Sequence, residues 1–312
     1  MATSRPWVSG VLCLSAALGV SLGLASPEPP AVRAVVLGIA QDGGVPHIGC
    51  RQDLCVAARR DPARRQRVAS IGLVDGDARF LIDATPDLPS QIESLWGSAA
   101  PPDRRRPLSG ILLTHAHAGH YAGLLSLGRE ALGADHVPVY ATPRMARFLR
   151  ENAPWSELVA RGHVDLRELA PGVERALTPR LHVTPVLVPH RDELSDTVGF
   201  VVRGPARRIL YVPDIDKWQR WDRRLADEVR AVDAALVDGT FLDAAEIPGR
   251  SQADIPHPLV GETAALLPDD LRARVRLIHL NHTNRLLWAP EALAEPALRG
   301  LAVARDGEEL PL

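Results

Sequence analysis

The chain is short of lysine and cysteine, and neither sign of charge dominates. Across 312 residues, 36 Lys and Arg stand against 38 Asp and Glu, for a formal net charge of −2. That balance gives no footing to nucleic acid or an anionic membrane surface as a partner. Lys217 is the only lysine, so arginine carries nearly all the positive charge, which reads as a high-GC coding bias rather than a site. No phosphate clamp, basic exosite or sugar platform stands out, and no short-period repeat, so nothing here names a substrate.

Cysteine is limited to Cys13, Cys50 and Cys55. A structural zinc site usually takes four ligands, and there is no second pair to complete one. Cys13 lies in an N-terminal stretch with the order of an export signal. Arg5 is followed by an almost wholly apolar or small run from Trp7 to Ala25, then Ser26 and Pro27. Residues 1–26 are therefore read as an export signal with a small-residue cleavage site near Ala25 or Ser26. The competing arrangement is an uncleaved anchor, since the run is about long enough to span a bilayer. Cleavage is the reading taken, with an exported, periplasmic or extracellular mature chain and no stable membrane insertion. In an oxidising compartment, Cys50 and Cys55 are expected to form a disulfide rather than two free thiols or half a zinc knuckle with His47.

What the chain does have is Thr114-His115-Ala116-His117-Ala118-Gly119-His120, reached through the apolar run 109–113 and followed by helix-compatible sequence. A lone histidine is an ordinary surface or core residue. Three within six residues, where a strand turns into a helix, can aim several nitrogens at one point, and neutral imidazole is a favoured ligand for zinc and its neighbours.

Around this corner the pattern predicts strands at 31–39, 181–188, 234–237 and 275–280. It predicts hairpins of 68–74 with 79–82 and of 198–203 with 207–212. Helices are expected at 119–132, 143–150, 217–229 and 260–267, with a helix and an edge strand from the tail. Trp218 and Trp221 are read as packing. Residues 241–258 form a long loop, of the kind that often serves as a lid or binding loop. Asp42, in Gln41-Asp42-Gly43-Gly44, is read as a turn residue. His279 is read as a core histidine on an apolar strand. Strand-rich and helical stretches alternate twice over, which fits residues 27–312 as one α/β domain, a four-layer αββα sandwich. The hairpins argue against a doubly wound parallel sheet.

The histidine corner resembles the His-x-His-x-Asp-His signature of the metallo-β-lactamase superfamily, with Gly119 in place of aspartate. Further segments resemble the branch containing the pyrroloquinoline quinone biosynthesis B proteins: Leu37-Gly38 to Gly44 with Cys50 and Cys55, residues 123–127, Val237-Asp238-Gly239-Thr240-Phe241, Ile255-Pro256-His257-Pro258, and His279-Leu280-Asn281-His282-Thr283-Asn284. The resemblance implies that His115, His117 and His190 form one metal site. It implies that Asp214 bridges to a second site shared with His120 and His282, and that Asp83 accepts from a ligand imidazole. It also places Glu246 and His257 in a loop that contacts substrate or transfers protons, although a plain polar surface loop is an equal reading. The activity implied is a metal-dependent hydrolase, zinc by default with iron or manganese as alternatives. Metal-activated hydroxide would attack an ester, amide, lactone or phosphodiester of a small-molecule substrate. The alternative is a metal-binding or oxygen-chemistry protein of quinone-cofactor biosynthesis.

Gly119 removes one hard oxygen ligand and a candidate base. The centre is then mononuclear, with His120 and His282 as proton donors or oxyanion contacts. Otherwise it is dinuclear with Asp42 or Asp238 substituting, or it binds metal without hydrolysis.

Overall fold

The structure, a computed structural model, describes residues 1–4, 31–247, 249 and 256–312. Most of the segment read as an export signal lies outside the described residues. No helix among the described residues is long and apolar enough to cross a membrane.

The strands are β1 (Arg33–Gly38), β2 (Ser70–Asp75), β3 (Ala78–Ile82), β4 (Gly110–Leu112), β5 (Val137–Ala141), β6 (Val164–Glu168), β7 (Arg175–Ala176), β8 (His182–Leu187), β9 (Val198–Arg203), β10 (Arg208–Val212), β11 (Ala234–Asp238), β12 (Val275–Ile278), β13 (Ala302–Val303) and β14 (Glu309–Pro311). They make two seven-stranded sheets, ordered β14-β1-β2-β3-β4-β5-β6 and β13-β12-β11-β10-β9-β8-β7. Both expected hairpins form, β2 antiparallel to β3 and β9 antiparallel to β10.

Alternation along the strands decides the layers, because successive side chains point to opposite faces. Ile71, Phe80, Ile82 and Leu112 of the first sheet meet Phe200, Val202, Ile209 and Tyr211 of the second in one buried core. The opposite phase, Leu81, Ile111 and Val139, packs under helices Leu88–Trp96 and Pro143–Glu151 through Leu88, Leu95 and Met145. On the far side, Leu210, Val212, Ala235 and Val237 pack against Trp218, Trp221, Val229 and Val260. Three cores separate four layers, which is the αββα sandwich expected from the sequence.

Some local expectations are corrected. The helix expected over 119–132 is one α-helical turn, Ala118–Tyr121, running into a 3-10 stretch, Ala122–Leu127. The helix expected over 217–229 is split into a 3-10 turn, Trp218–Arg220, and a helix, Leu225–Arg230, with Trp221 in extended backbone between them. Trp218 and Trp221 are buried in the outer core, as packing requires. The tail adds an edge strand to each sheet, and its helical part is a 3-10 segment, Pro290–Ala294.

One edge of the sandwich gathers every strand exit that matters below. Beyond β1, Ala40 bridges to both Val68 and Leu280. Gln41 N–H donates to the Leu280 carbonyl at 2.8 Å, and Leu280 N–H to the Ile39 carbonyl at 2.8 Å. These bonds stitch the first sheet to the exit of β12 in the second.

Candidate metal centre

Each functional side chain lies just past the C-terminal end of a strand. Asp42 follows β1, Asp83 follows β3, and His115, His117 and His120 follow β4. His190 follows β8, Asp214 and Asp216 follow β10, Thr240 follows β11, and His279 follows β12. Asp83 and His279 have φ of 73° and 63°. Non-glycine residues adopt that left-handed backbone at a cost of about 1–3 kcal/mol, and such strain collects at functional sites.

Four donors converge first. His115 Nε2 and His190 Nε2 lie 2.9 and 3.1 Å from His117 Nδ1. The same two Nε2 atoms lie 3.4 and 3.2 Å from Asp214 Oδ2. For metal–nitrogen bonds of about 2.0–2.1 Å, the edge of a ligand tetrahedron is about 3.3 Å. The spacing therefore fits one small divalent ion among His115, His117, His190 and Asp214. A second set gathers beside it. His120 Nε2 is 3.4 Å from Asp42 Oδ1 and 3.8 Å from Asp214 Oδ2, and His279 Nε2 is 3.8 Å from Asp42 Oδ1. A buried polar atom without a partner costs free energy. His120 Nε2, His279 Nε2, Asp42 Oδ1 and Asp214 Oδ1 are all buried with no hydrogen-bond partner, as atoms awaiting a cation would be.

The opposite edges of the imidazoles are held. Asp83 Oδ2 lies 2.8 Å from His120 Nδ1, and Asp83 Oδ1 accepts from the Thr114 amide at 2.8 Å. Asp216 Oδ1 lies 3.1 Å from His190 Nδ1 while its other oxygen accepts from Arg220 at 2.7 Å. Thr240 Oγ1 lies 3.1 Å from His279 Nδ1. Such partners fix the ring orientation and tautomer of a ligating histidine.

The electrostatics divide the rings into two kinds. Burial, with His120 beside it, holds His115 well below the usual histidine range, and burial with His190 lowers His117. Both are neutral and ready to ligate. Burial opposes charge on His120 too, but Asp83 and Asp42 outweigh it and raise this ring well above 6.5. Burial alone would raise the Asp214 carboxyl, yet His257, His279, His115 and His190 hold it well below the carboxylate range. Asp42 is likewise pushed up by burial and pulled further down by His120 and His279. His120 thus carries a proton at pH 7 in the metal-free protein, and an ion at its Nε2 must displace it. Metal uptake should release protons at neutral pH and tighten as pH rises. Calorimetry in buffers of different ionisation heat should show that release.

Several expected site residues are placed otherwise. His282 is not in the cluster: its ring stacks on His47 with centroids 4.2 Å apart. His279, read from sequence as a core residue, faces Asp42 instead. β12 ends at Ile278, so His279 is the first residue of a corner, just as Asp83 is after Ile82. That position after an apolar strand was the missed signal. His257 is no exposed loop contact: it is buried, with Nδ1 2.9 Å from Asp238 Oδ2 and 3.3 Å from Asp214 Oδ1. Burial works against its charge, but Asp238 and Asp214 raise it to about 9. Glu246 braces its own loop, accepting from the Leu242 amide at 2.6 Å and the Thr283 hydroxyl at 2.7 Å. The expected Cys50–Cys55 disulfide is not formed. Both are free thiols, with Cys55 buried in helix Asp53–Arg60 and its sulfur accepting from the His47 amide at 3.3 Å. Asp216, Thr240 and Glu193 were not singled out from sequence. Glu193 Oε2 stands 3.3 Å from His117 Nε2, where the cluster opens to solvent.

A model of the β-lactamase superfamily domain matches residues 78–280, from the second strand of the first hairpin to the exit of β12. The protein PQQ synthesis B of Methylorubrum populi is 31% identical over 309 residues, covering 90% of this chain and 100% of that one. The chain belongs to the metallo-β-lactamase superfamily, in the branch of the coenzyme PQQ synthesis B proteins. The corresponding protein of Rhizobium meliloti is 28% identical, covering 90% of this chain and 98% of its own. Among solved structures, zinc-bound PqqB from Methylobacterium extorquens superposes with a TM-score of 0.74 at 27% identity, covering 90% of this chain and 100% of that one. A diphosphatase of the PhnP family has a TM-score of 0.64 at 20% identity, covering 91% and 98%. That last likeness is one of fold. The His/Asp clusters of this chain and its zinc-bound relative support a divalent metal in this family member.

Proposed function

We propose that this protein is an exported metal-dependent hydrolase, with zinc as its default ion and a small molecule carrying an ester, amide, lactone or phosphodiester centre as substrate. The observation that carries the reading is the cluster of four donors in which His115 Nε2 and His190 Nε2 lie 2.9 and 3.1 Å from His117 Nδ1 and 3.4 and 3.2 Å from Asp214 Oδ2. Export rests on the composition of residues 5–26. His115, His117, His190 and Asp214 would hold a divalent ion, which would supply an activated water at ordinary pH and polarisation of the electrophilic oxygen.

The chain's own side chains supply the rest. Asp216 and Asp83 hold His190 and His120 in orientation. His117, the most open of the three clustered rings, and Glu193 form the mouth through which substrate enters. His257, buried with Nδ1 against Asp238 and Asp214, takes the proton-transfer role that His282, stacked on His47 outside the cluster, does not fill.

A second reading rests on likeness over the full length of PQQ synthesis B proteins: a metal-binding or oxygen-chemistry role linked to quinone-cofactor biosynthesis. Iron in the purified protein with oxygen consumption favours that reading; zinc with turnover of a hydrolysable substrate favours the first. The test compares wild type with His117→Ala for metal content and for activity on phosphodiester, lactone and lactam substrates. Removing a residue that only orients a ligand costs about 10–100-fold, so losing a ligand should cost more than ~100-fold in activity. Circular dichroism should be unchanged. Wild-type activity in His117→Ala would overturn the assignment.

A further inference from the structure

Gly119 has a physical cause that Asp42 supplies. A β-carbon built at Gly119 would lie 2.2 Å from Asp42 Oδ1, 2.6 Å from Asp42 Cα and 2.9 Å from Asp42 Cγ. Two of these three atoms belong to the carboxylate, and no side chain fits at position 119 while Asp42 is there. The space beside His120 is therefore filled by an aspartate from another strand exit.

We propose that Asp42 has taken the ligand position that Gly119 gives up, so that a second divalent ion is held by Asp42, His120, His279 and Asp214. The proposal rests on the metal-centre reading above and names the residues of its second half. Three observations carry it. Asp42 Oδ1, His120 Nε2 and His279 Nε2 are buried, mutually close and without a hydrogen-bond partner. The far nitrogens of both rings are committed to Asp83 and Thr240, which turns the free Nε2 atoms toward Asp42. The backbone bonds of Gln41 and Leu280 pin the Asp42 loop directly against the His279 corner.

Asp238, the other carboxylate that could substitute, is already spent. Its Oδ1 accepts from the Thr240 amide at 2.9 Å, and its Oδ2 accepts from the Ile215 amide at 3.2 Å and faces His257 Nδ1 at 2.9 Å. A carboxylate so committed braces the β11 exit. Asp42 keeps a free oxygen.

The arrangement also makes the two carboxylates mutually exclusive. The motif aspartate and Asp42 cannot coexist, since even the Cα of residue 42 intrudes on the 119 side chain. An aspartate restored at 119 would need the whole loop after β1 to move.

The test uses the mature chain stripped with chelator and reloaded with Zn(II) or Co(II). Ions per chain are counted by mass spectrometry, and the second binding step is followed by calorimetry and Co(II) absorption. Wild type should bind two ions. Asp42→Ala should keep the first and weaken the second by more than ~100-fold, beyond the ~10–100-fold of an outer-shell change. Gly119→Ala, which keeps the carboxylate but crowds it aside, should weaken the same step. Thermal melts of the metal-free variants check that both are folded. A single ion in wild type, or a second step unchanged in Asp42→Ala, overturns the proposal. Two ions in wild type and the second weakened in Asp42→Ala, with no turnover of any hydrolysable substrate, would leave it standing and sink the hydrolase reading instead.

Discussion

Asp214→Ala is expected to strip the protein of bound metal and to abolish activity, with a loss above ~10³-fold, at the upper end of what removing one preorganised electrostatic group costs. Asp214 is buried, and its Oδ2 faces His115, His190 and His120 at 3.4, 3.2 and 3.8 Å while Oδ1 faces His257 at 3.3 Å. Among the described residues no other carboxylate touches both halves of the cluster. The same variant should show a distinctive pH dependence in the metal-free state. Asp214 raises His190, and after Asp238 it raises His257, whose value reaches about 9. A histidine raised above its unfolded value of about 6.5 contributes stability that is fully present below that pH. That stability is lost as pH climbs through the folded value. The variant should therefore lose most stability relative to wild type near pH 6 and least above pH 9. Breaking a buried pair by removing one partner costs about 3–5 kcal/mol, and urea melts in chelator at the two pH values should bracket it. An equal loss at both would show that Asp214 is not the counter-charge of these rings.

The second large effect is expected at Asp83→Asn, a change that touches no ligand atom. Asparagine keeps the size of aspartate and is among the residues that tolerate positive φ, so the 73° backbone survives. What changes is the hydrogen bonding. The carboxylate takes the His120 ring at 2.8 Å and the Thr114 amide and hydroxyl at 2.8 and 2.9 Å. An amide has one accepting oxygen for these partners, and its NH2 must face a donor. His120 then loses the partner that orients its Nε2. Metal affinity should fall by about 10–100-fold, with a stability loss of about 1–3 kcal/mol from the unsatisfied buried groups. Metal titration and denaturant melts would read both. Unchanged affinity would mean that His120 is not a ligand.

Much of the architecture was legible in the sequence because it depends on period. The strand runs and the two hairpins could be read and excluded an all-parallel sheet; the structure then puts Ile71, Phe80, Phe200 and Tyr211 on one face and Leu81, Leu210 and Val237 on the other. The helices were less legible. The runs after Gly119 and after Lys217 carry helical spacing, yet both are broken into short turns by the cores they must fit.

The first histidine corner could be read from local spacing, since His115, His117 and His120 sit within six residues, and the family from the resemblance of that corner and of later segments. His190 and Asp214 were named by what the resemblance implies for strand ends. Nothing local distinguishes His279 from His282, three residues apart. Only the register of β12 decides which ring turns inward. Asp42 reads as a turn residue in isolation, and so it is; its second role exists only because two sheets close on each other. Short-range chemistry is written in neighbouring residues, whereas a ligand set drawn from separate strand exits is decided by which backbones come within a few ångströms, and that is a property of the packed sandwich alone.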